Sequence, residues 1–153
     1  MLQRVLRPGL AALAGLAMAL VGSSSAQAEE VNPVKFHLIA TSSSMRDAKE
    51  EVRALTTIDG GAKEKLLGAL DDAISELKVV YKDAFNEDLP YVKPEPGDDK
   101  DHHNLRHALR EVDEAKKQLR AAKGVTDEHR DAAFAALDKA KEKIKDALDT
   151  VGK

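Results

Sequence analysis

The chain has 153 residues, a formal net charge of −3 and no cysteine, and only 3% of its residues are aromatic. The negative charge and the scarcity of aromatic rings argue against a nucleic-acid ligand, which needs basic surface and stacking side chains. The absence of cysteine excludes disulfides, thiolate metal sites and c-type haem attachment. The composition therefore indicates an acidic protein whose fold no disulfide stabilises.

The first 28 residues have the three parts of an export signal. Two arginines precede an apolar run over 9–22, and residues 26–28 read Ala-Gln-Ala, the small-x-small pattern at a cleavage site. The run is shorter than the about 20 apolar residues of a membrane span. We therefore expect residues 1–28 to be removed on export to a bacterial periplasm. The mature chain, 29–153, would carry a charge of −5 and would not insert into the membrane.

The rest of the chain repeats itself at an offset of 67 residues. Residues 36–85 align without gaps on 103–152, with ten identical positions and the same apolar phase. Each copy contains two stretches with apolar residues three and four positions apart, which is the spacing of one helix face. An acidic linker with three prolines, over 86–101, separates the copies. We predict an all-α, four-helix bundle made of two tandem helical hairpins, in one domain.

The apolar positions of the four predicted helices form a narrow stripe that suits bundle packing. They are Met45, Ala48, Val52 and Leu55; Leu66 or Leu67, Leu70, Ile74, Leu77, Tyr81 and Ala84; Leu105, Leu109, Val112, Ala115, Leu119 and Ala122; and Phe134, Leu137, Ala140, Ile144, Leu148 and Val151.

Two features of this bundle stay open at the level of sequence. The first helix begins near Val34, because the repeat pairs Leu38 with Leu105, or near Ser44, which with Asp47 resembles a capping box. Short breaks make the helices of each hairpin antiparallel, so we expect an up-down-up-down order, although the long linker also allows a crossover. The up-down-up-down order would bring His37 to the same end as the start of the third helix.

Three of the five histidines cluster near the start of the predicted third helix. His103 and His107 are four residues apart and share a helix face, which carboxylates extend one turn before and after. Two imidazoles with a nearby carboxylate suit Cu(II), Ni(II) or Zn(II). The predicted metal ligands are His102, His103, His107, Asp99 and Glu111. This stripe points away from the apolar positions, so the site would be shallow and exposed; a solvated polar face without a ligand is the alternative.

Other chemistries find little support. The many inward alanines predict a thin core with little room for a large cofactor such as haem, although Met45 and His102 could serve as axial ligands. The acidic linker lacks the spacing of a calcium loop. No pattern activates a serine nucleophile, and no phosphate-binding loop is present. We therefore expect neither an enzyme nor an organic cofactor, with no catalytic residue to assign.

Part of the chain resembles the small metal-binding proteins of the bacterial periplasm. The resemblance is carried by Leu105–Asp127 and His129–Leu148, and more faintly by Arg46–Ala73. Members of that family are cysteine-free four-helix bundles of two similar hairpins, and their helix-face histidines bind copper, nickel and other divalent ions. The resemblance implies the same fold and a capacity for such ions. The chain departs from the family by carrying mostly Lys, Asp or Glu where the family repeats histidine. His103, His107 and His129 lie at comparable positions.

The sequence therefore predicts an exported, non-enzymatic protein, a monomer or homodimer, with modest affinity for divalent metal ions. The alternative is a structural or chaperone-like module of the envelope. In that case the charged helix faces or the acidic linker would contact a protein partner.

Overall fold

The computed structural model describes residues 32–94 and 102–152, and within them the chain forms four α-helices. They are α1 (Pro33–Ala54), α2 (Gly60–Phe85), α3 (His103–Ala121) and α4 (Asp127–Val151). The all-α four-helix bundle is confirmed. The predicted export signal and the later part of the linker, with Asp99, lie outside the described residues. No described helix is long and apolar enough to cross a membrane.

The first helix starts at the earlier of the two predicted positions. Asn32 is its N-cap, and its side-chain oxygen accepts hydrogen bonds from the backbone N–H of Val34 at 3.0 Å and Lys35 at 3.3 Å. Pro33 occupies the first helical position, where its missing N–H costs nothing. The serines at 42–44 therefore lie inside α1. The hydroxyl of Ser42 donates to the carbonyl of Ile39, as serine hydroxyls inside helices often do.

The two hairpins repeat each other residue by residue. Helices α1 and α3 end at Ala54 and Ala121, and α2 and α4 begin at Gly60 and Asp127, so both boundaries recur after 67 residues. The core repeats at the same offset. The buried pairs are Leu38 and Leu105, Met45 and Val112, Ala48 and Ala115, Val52 and Leu119, Leu55 and Ala122, Ile58 and Val125, Leu66 and Ala133, Leu70 and Leu137, Ala73 and Ala140, Leu77 and Ile144, and Val80 and Ala147.

One basic position closes the turn in each hairpin. Lys63 Nζ donates to the carbonyl of Leu55 at 2.9 Å, beside the end of α1. Arg130, which is 67 residues later, donates to the carbonyl of Ala122 at 3.0 Å, beside the end of α3. A cation that hydrogen-bonds the last carbonyls of a helix satisfies groups that have no intrahelical partner. The short breaks are therefore held by the same chemistry twice.

The hairpins pack through equivalent helices, α1 against α3 and α2 against α4. Lys139 in α4 donates to Asp72 in α2 at 2.8 Å, and these two residues occupy the same position of the repeat. Contact between equivalent positions is the signature of an isologous, two-fold interface. The bundle is therefore built like a dimer of hairpins fused into one chain.

The directions of the helices differ from the expected order. Glu51, near the end of α1, contacts Asn104 at the start of α3, whereas Thr41 contacts Glu111 farther along α3. Helix α3 is therefore antiparallel to α1, and the order is up-down-down-up. The prediction of up-down-up-down is wrong, and so is the expected meeting of His37 with the start of α3. Helices α1 and α4, like α2 and α3, lie diagonally opposite each other.

The course of the linker explains this order, because the linker runs back along the bundle from the end of α2. Asn86 ends α2 in a left-handed conformation, with a φ of 54°. The chain then turns back along the seam between α1 and α2, where Leu89 is buried and Tyr91 lies 5.1 Å from the guanidinium of Arg46. We call residues 86–94 the strap. A connection that runs along the bundle delivers the chain to the far end, which a short turn cannot do.

Candidate metal site between the first and third helices

The seam between α1 and α3 is unusually polar for a helix interface. Thr41 and Ser44 of α1 are buried on it, opposite polar side chains of α3. The hydroxyl of Thr41 donates to its own helix at His37 and lies 3.1 Å from the carbonyl of Glu111. Two positions of the predicted histidine stripe meet this row, since His107 contacts Ser44 and the backbone of Glu111 contacts Thr41.

His107 lies at the centre of the seam. Its Nδ1 is 2.8 Å from the hydroxyl oxygen of Ser44, and its Nε2 is 3.7 Å from Oε1 of Glu111. The other oxygen of Glu111 is buried and has no hydrogen-bond partner within the described residues. The side chains of His107 and Glu111 are 41% and 21% exposed. The pair is therefore more enclosed than the shallow site expected from sequence, because α1 covers one side of the stripe.

His103 extends the pair by one helical turn. Its ring lies parallel to that of His107, with centroids 6.1 Å apart and an angle of 11° between the planes. His103 itself is exposed to solvent. The described residues contain no group of three or more His, Asp or Glu side chains already arranged around a common point. The predicted ligands that lie together are thus His107 and Glu111, with the ring of His103 stacked one turn away.

The remaining predicted ligands are not joined to this pair. His102 turns toward the end of α1, where its Nδ1 lies 3.1 Å from Oε1 of Glu51, and its side chain is 16% exposed. Asp99 lies outside the described residues. The structure therefore brings together His103, His107 and Glu111 and directs His102 elsewhere.

Sequence reasoning missed Glu51, a carboxylate whose side chain is completely buried. Its Oε2 accepts hydrogen bonds from the backbone N–H of Asn104 at 3.0 Å and Leu105 at 3.3 Å. His102, the N-cap residue of α3, is left-handed and makes no side-chain cap. Glu51 therefore caps α3 from another helix, where the partial positive charge of the N-terminus also favours an anion. The signals were an acidic residue on the inner face of α1 and a third helix without Ser, Thr, Asp or Asn at its cap.

The contacts of Ser44, His107 and Glu111 also resemble the groups of a hydrolytic triad. In such a triad a serine oxygen is bonded to an imidazole whose other nitrogen faces a carboxylate. The serine must also reach a substrate, and Ser44 is only 3% exposed between two helices. This burial disfavours a nucleophilic role and favours a positioning role for the hydroxyl.

His129 at the start of α4 belongs to a different contact. Its Nδ1 is bonded to the carboxylate of Asp83 near the end of α2, and this hydrogen bond is the main cause that raises the pKa of His129 above its ordinary value. The stripe on α3 and His129 are therefore separate features. The His129–Asp83 pair links the hairpins, and its effect depends on pH.

We expect the replacement His129→Gln to destabilise the protein more in acid than in base. A raised pKa in the folded state adds stability that is complete below the unfolded value, about pH 6.5, and is lost as the pH rises through the folded value. Thermal unfolding of both proteins between about pH 5.5 and pH 9 tests this. The midpoint difference should shrink as the pH rises, and Asp83→Asn should behave likewise. A difference that stays constant or grows with pH would contradict the assignment.

Comparisons with known proteins add no relative to these observations: no family model, curated protein or solved structure matches the chain.

Proposed function

We propose that the protein is an exported, non-enzymatic helical bundle that binds a divalent cation, Cu(II), Ni(II) or Zn(II). His107 and Glu111 are the primary ligands and His103 is the third. The observation that carries the proposal is the contact between Ser44 and Nδ1 of His107. That contact occupies one ring nitrogen and leaves the other, Nε2, on the side of Glu111.

A ligand histidine usually has its second ring nitrogen held by a hydrogen bond, which fixes both the tautomer and the orientation of the ring. Ser44 is well suited to this role because it is buried within α1 and keeps its place. With Nδ1–H donating to the Ser44 oxygen, Nε2 presents a lone pair. The role of Ser44 is thus that of a positioning residue behind the ligand.

The separation of the two ligand atoms also supports the proposal. Nε2 of His107 and Oε1 of Glu111 are 3.7 Å apart, too far for a hydrogen bond. Two atoms at this distance can each lie about 2.0–2.2 Å from one ion, as nitrogen and carboxylate oxygen ligands of zinc do. The second oxygen of Glu111, which has no hydrogen-bond partner among the described residues, offers a further lone pair. Solvent would complete the coordination on the exposed side, so we expect modest affinity.

Export is the part of the proposal that rests on the sequence alone, namely on the signal pattern over 1–28. An exported cation binder without cysteine avoids oxidation of its ligands, because imidazole and carboxylate side chains do not form disulfides. The resemblance to periplasmic metal-binding bundles is consistent with this location.

Calorimetric titration with Ni(II) tests the site directly. We expect His107→Ala and Glu111→Gln each to weaken binding by about tenfold or more, and Ser44→Ala to weaken it by a smaller factor. His129→Gln is the matched control, since it removes a histidine from another helix and should leave the affinity unchanged. Binding should also weaken in acid, because a proton on the imidazole competes with the metal ion for the same lone pair.

Two results would contradict the proposal. One is an affinity that His107→Ala and Glu111→Gln leave unchanged, which would place any binding elsewhere. The other is an absence of binding by the wild type, which would favour the alternative of an interaction module in the envelope.

A further inference from the structure

The α1–α2 seam and the α3–α4 seam share an equivalent ion pair. In the first hairpin Lys49 of α1 is paired with Asp71 of α2, and in the second Lys116 of α3 is paired with Asp138 of α4. These residues are equivalent in the 67-residue repeat. The second hairpin therefore serves as an internal reference for the first.

Two neighbouring positions distinguish the seams. In the second hairpin Asp113 and Lys141 form an ion pair that bridges α3 and α4. The equivalent residues of the first hairpin are Arg46 and Ile74, which cannot form such a bridge. The α1–α2 seam therefore has no counterpart of this ion pair and carries the apolar side chain of Ile74 at the position of Lys141.

A groove of about 420 Å³ lies at this point, between α1, α2 and the strap. Ile74 and Leu89, both almost fully buried, form an apolar floor. Tyr91 stands at the edge and is 72% exposed, an unusual exposure for a large ring in a chain with few aromatic residues. The strap thus covers only part of the α1–α2 seam and leaves the ring of Tyr91 beside Ile74 and Leu89.

Among the described residues, the lining of the groove carries four cationic and two acidic side chains although the protein is acidic. Lys49 and Arg53 are lining cations that pair with Asp71 and Glu50, both of which also line the groove. The other two lining cations are Arg46 and Lys78, and no described carboxylate of the lining forms an ion pair with them; the charge of Asp47, beside Arg46 in the sequence, also acts on the guanidinium.

Arg46 is held in place over the groove. It donates to the hydroxyl of Ser42 at 3.1 Å, and its guanidinium lies over the ring of Tyr91. Partial burial, which lowers the pKa of Arg46, shows that the guanidinium has lost part of its hydration. A positioned, partly dehydrated guanidinium favours an anionic partner, especially a planar carboxylate.

We propose that this groove binds a small organic anion that joins a carboxylate to a planar ring. The carboxylate pairs with Arg46 and Lys78, and the ring lies on the Ile74–Leu89 floor against Tyr91. The groove lies on a different seam from the His107–Glu111 pair and uses none of its residues. The two proposals are therefore independent.

The test uses 2-naphthoate as the probe, with the full protein in a buffer that contains a chelator to remove metal ions. In ¹H–¹⁵N NMR spectra, the shifts should concentrate on residues around Arg46, Lys78 and Tyr91. Arg46→Gln and Lys78→Gln should each weaken binding by about tenfold, the value of one lost charge-assisted hydrogen bond. The neutral analogue 2-naphthalenemethanol should bind weaker by a similar factor.

Lys145→Gln is the matched control, because Lys145 occupies the position of Lys78 in the second hairpin and is likewise exposed. It should leave the affinity for 2-naphthoate unchanged. Shifts spread over both hairpins, or equal losses from Lys78→Gln and Lys145→Gln, would overturn the proposal in favour of non-specific attraction. Absence of groove shifts at millimolar probe would overturn it as well.

Discussion

Replacement of Glu51 by alanine is expected to lower the free energy of unfolding by about 2–4 kcal/mol. The buried carboxylate accepts from the backbone N–H of Asn104 and Leu105 and contacts His102, all at the start of α3. Its removal leaves these donors without an acceptor, and water cannot easily replace a side chain inside the bundle. Chemical denaturation monitored by circular dichroism measures the change.

The repeat supplies the control for this prediction. Gln118 is the residue equivalent to Glu51 and lies at the same distance from the end of its helix, but it is only half-buried. Gln118→Ala should change the free energy of unfolding by no more than about 0.5 kcal/mol. Glu51→Gln keeps one acceptor oxygen and should cost less than Glu51→Ala. Equal effects of Glu51→Ala and Gln118→Ala would contradict the capping role.

Truncation of Leu137 to alanine is expected to cost about 2–5 kcal/mol of unfolding free energy. Leu137 is completely buried on α4, which packs against α2 and α3. The inward neighbours on these helices include Ala73 and Ala140, which are also completely buried. Helices that already approach through alanines have little freedom to move closer and fill a cavity.

Leu70 occupies the position of Leu137 in the first hairpin and is also completely buried. Leu70→Ala should therefore cost a similar amount, whereas Leu148→Ala, at a half-buried position of α4, should cost clearly less. Denaturation of the three variants under one condition makes the comparison. A Leu137 variant no less stable than the Leu148 variant would contradict the assignment of the core.

The helices and their pairing into hairpins follow from local patterns. Apolar residues at spacings of three and four mark the buried face, and each break carries a helix start such as Thr126, whose hydroxyl accepts from the N–H of His129. Asn32 and Pro33 are an equally local signal, and they settle where α1 begins. Alanines at positions such as Ala108 and Ala133 are core residues that the apolar stripe did not include, because alanine occurs on both faces of these helices.

The direction of the second hairpin had no comparable signal. The linker permits either a return or a crossover, and the choice depends on how the strap packs on α1 and α2. The buried position of Leu89 and the contact of Tyr91 with Arg46 are tertiary interactions, which periodicity does not encode. The pairing of α1 with α3 and of α2 with α4, which implies the two-fold arrangement, is likewise visible only in the structure.

The candidate site also has a part that the sequence predicts and a part that depends on tertiary contacts. The spacing of His103, His107 and Glu111 along one helix predicts their common face, since residues four apart are neighbours on a helix. The contact of Ser44 with His107 and the contact of His102 with Glu51 depend on the antiparallel packing of α1 against α3. The sequence therefore predicts the candidate ligands, whereas the contacts of Ser44 and His102 are visible only in the structure.

Thermal unfolding with and without divalent ions tests the central claim, metal binding by the folded bundle, most directly. At a metal concentration of about 100 times the dissociation constant, binding to the folded state alone adds about 2.7 kcal/mol. We predict a midpoint several degrees higher with Cu(II), Ni(II) or Zn(II), and no such increase for His107→Ala. An unchanged midpoint of the wild type with all three ions would contradict the account.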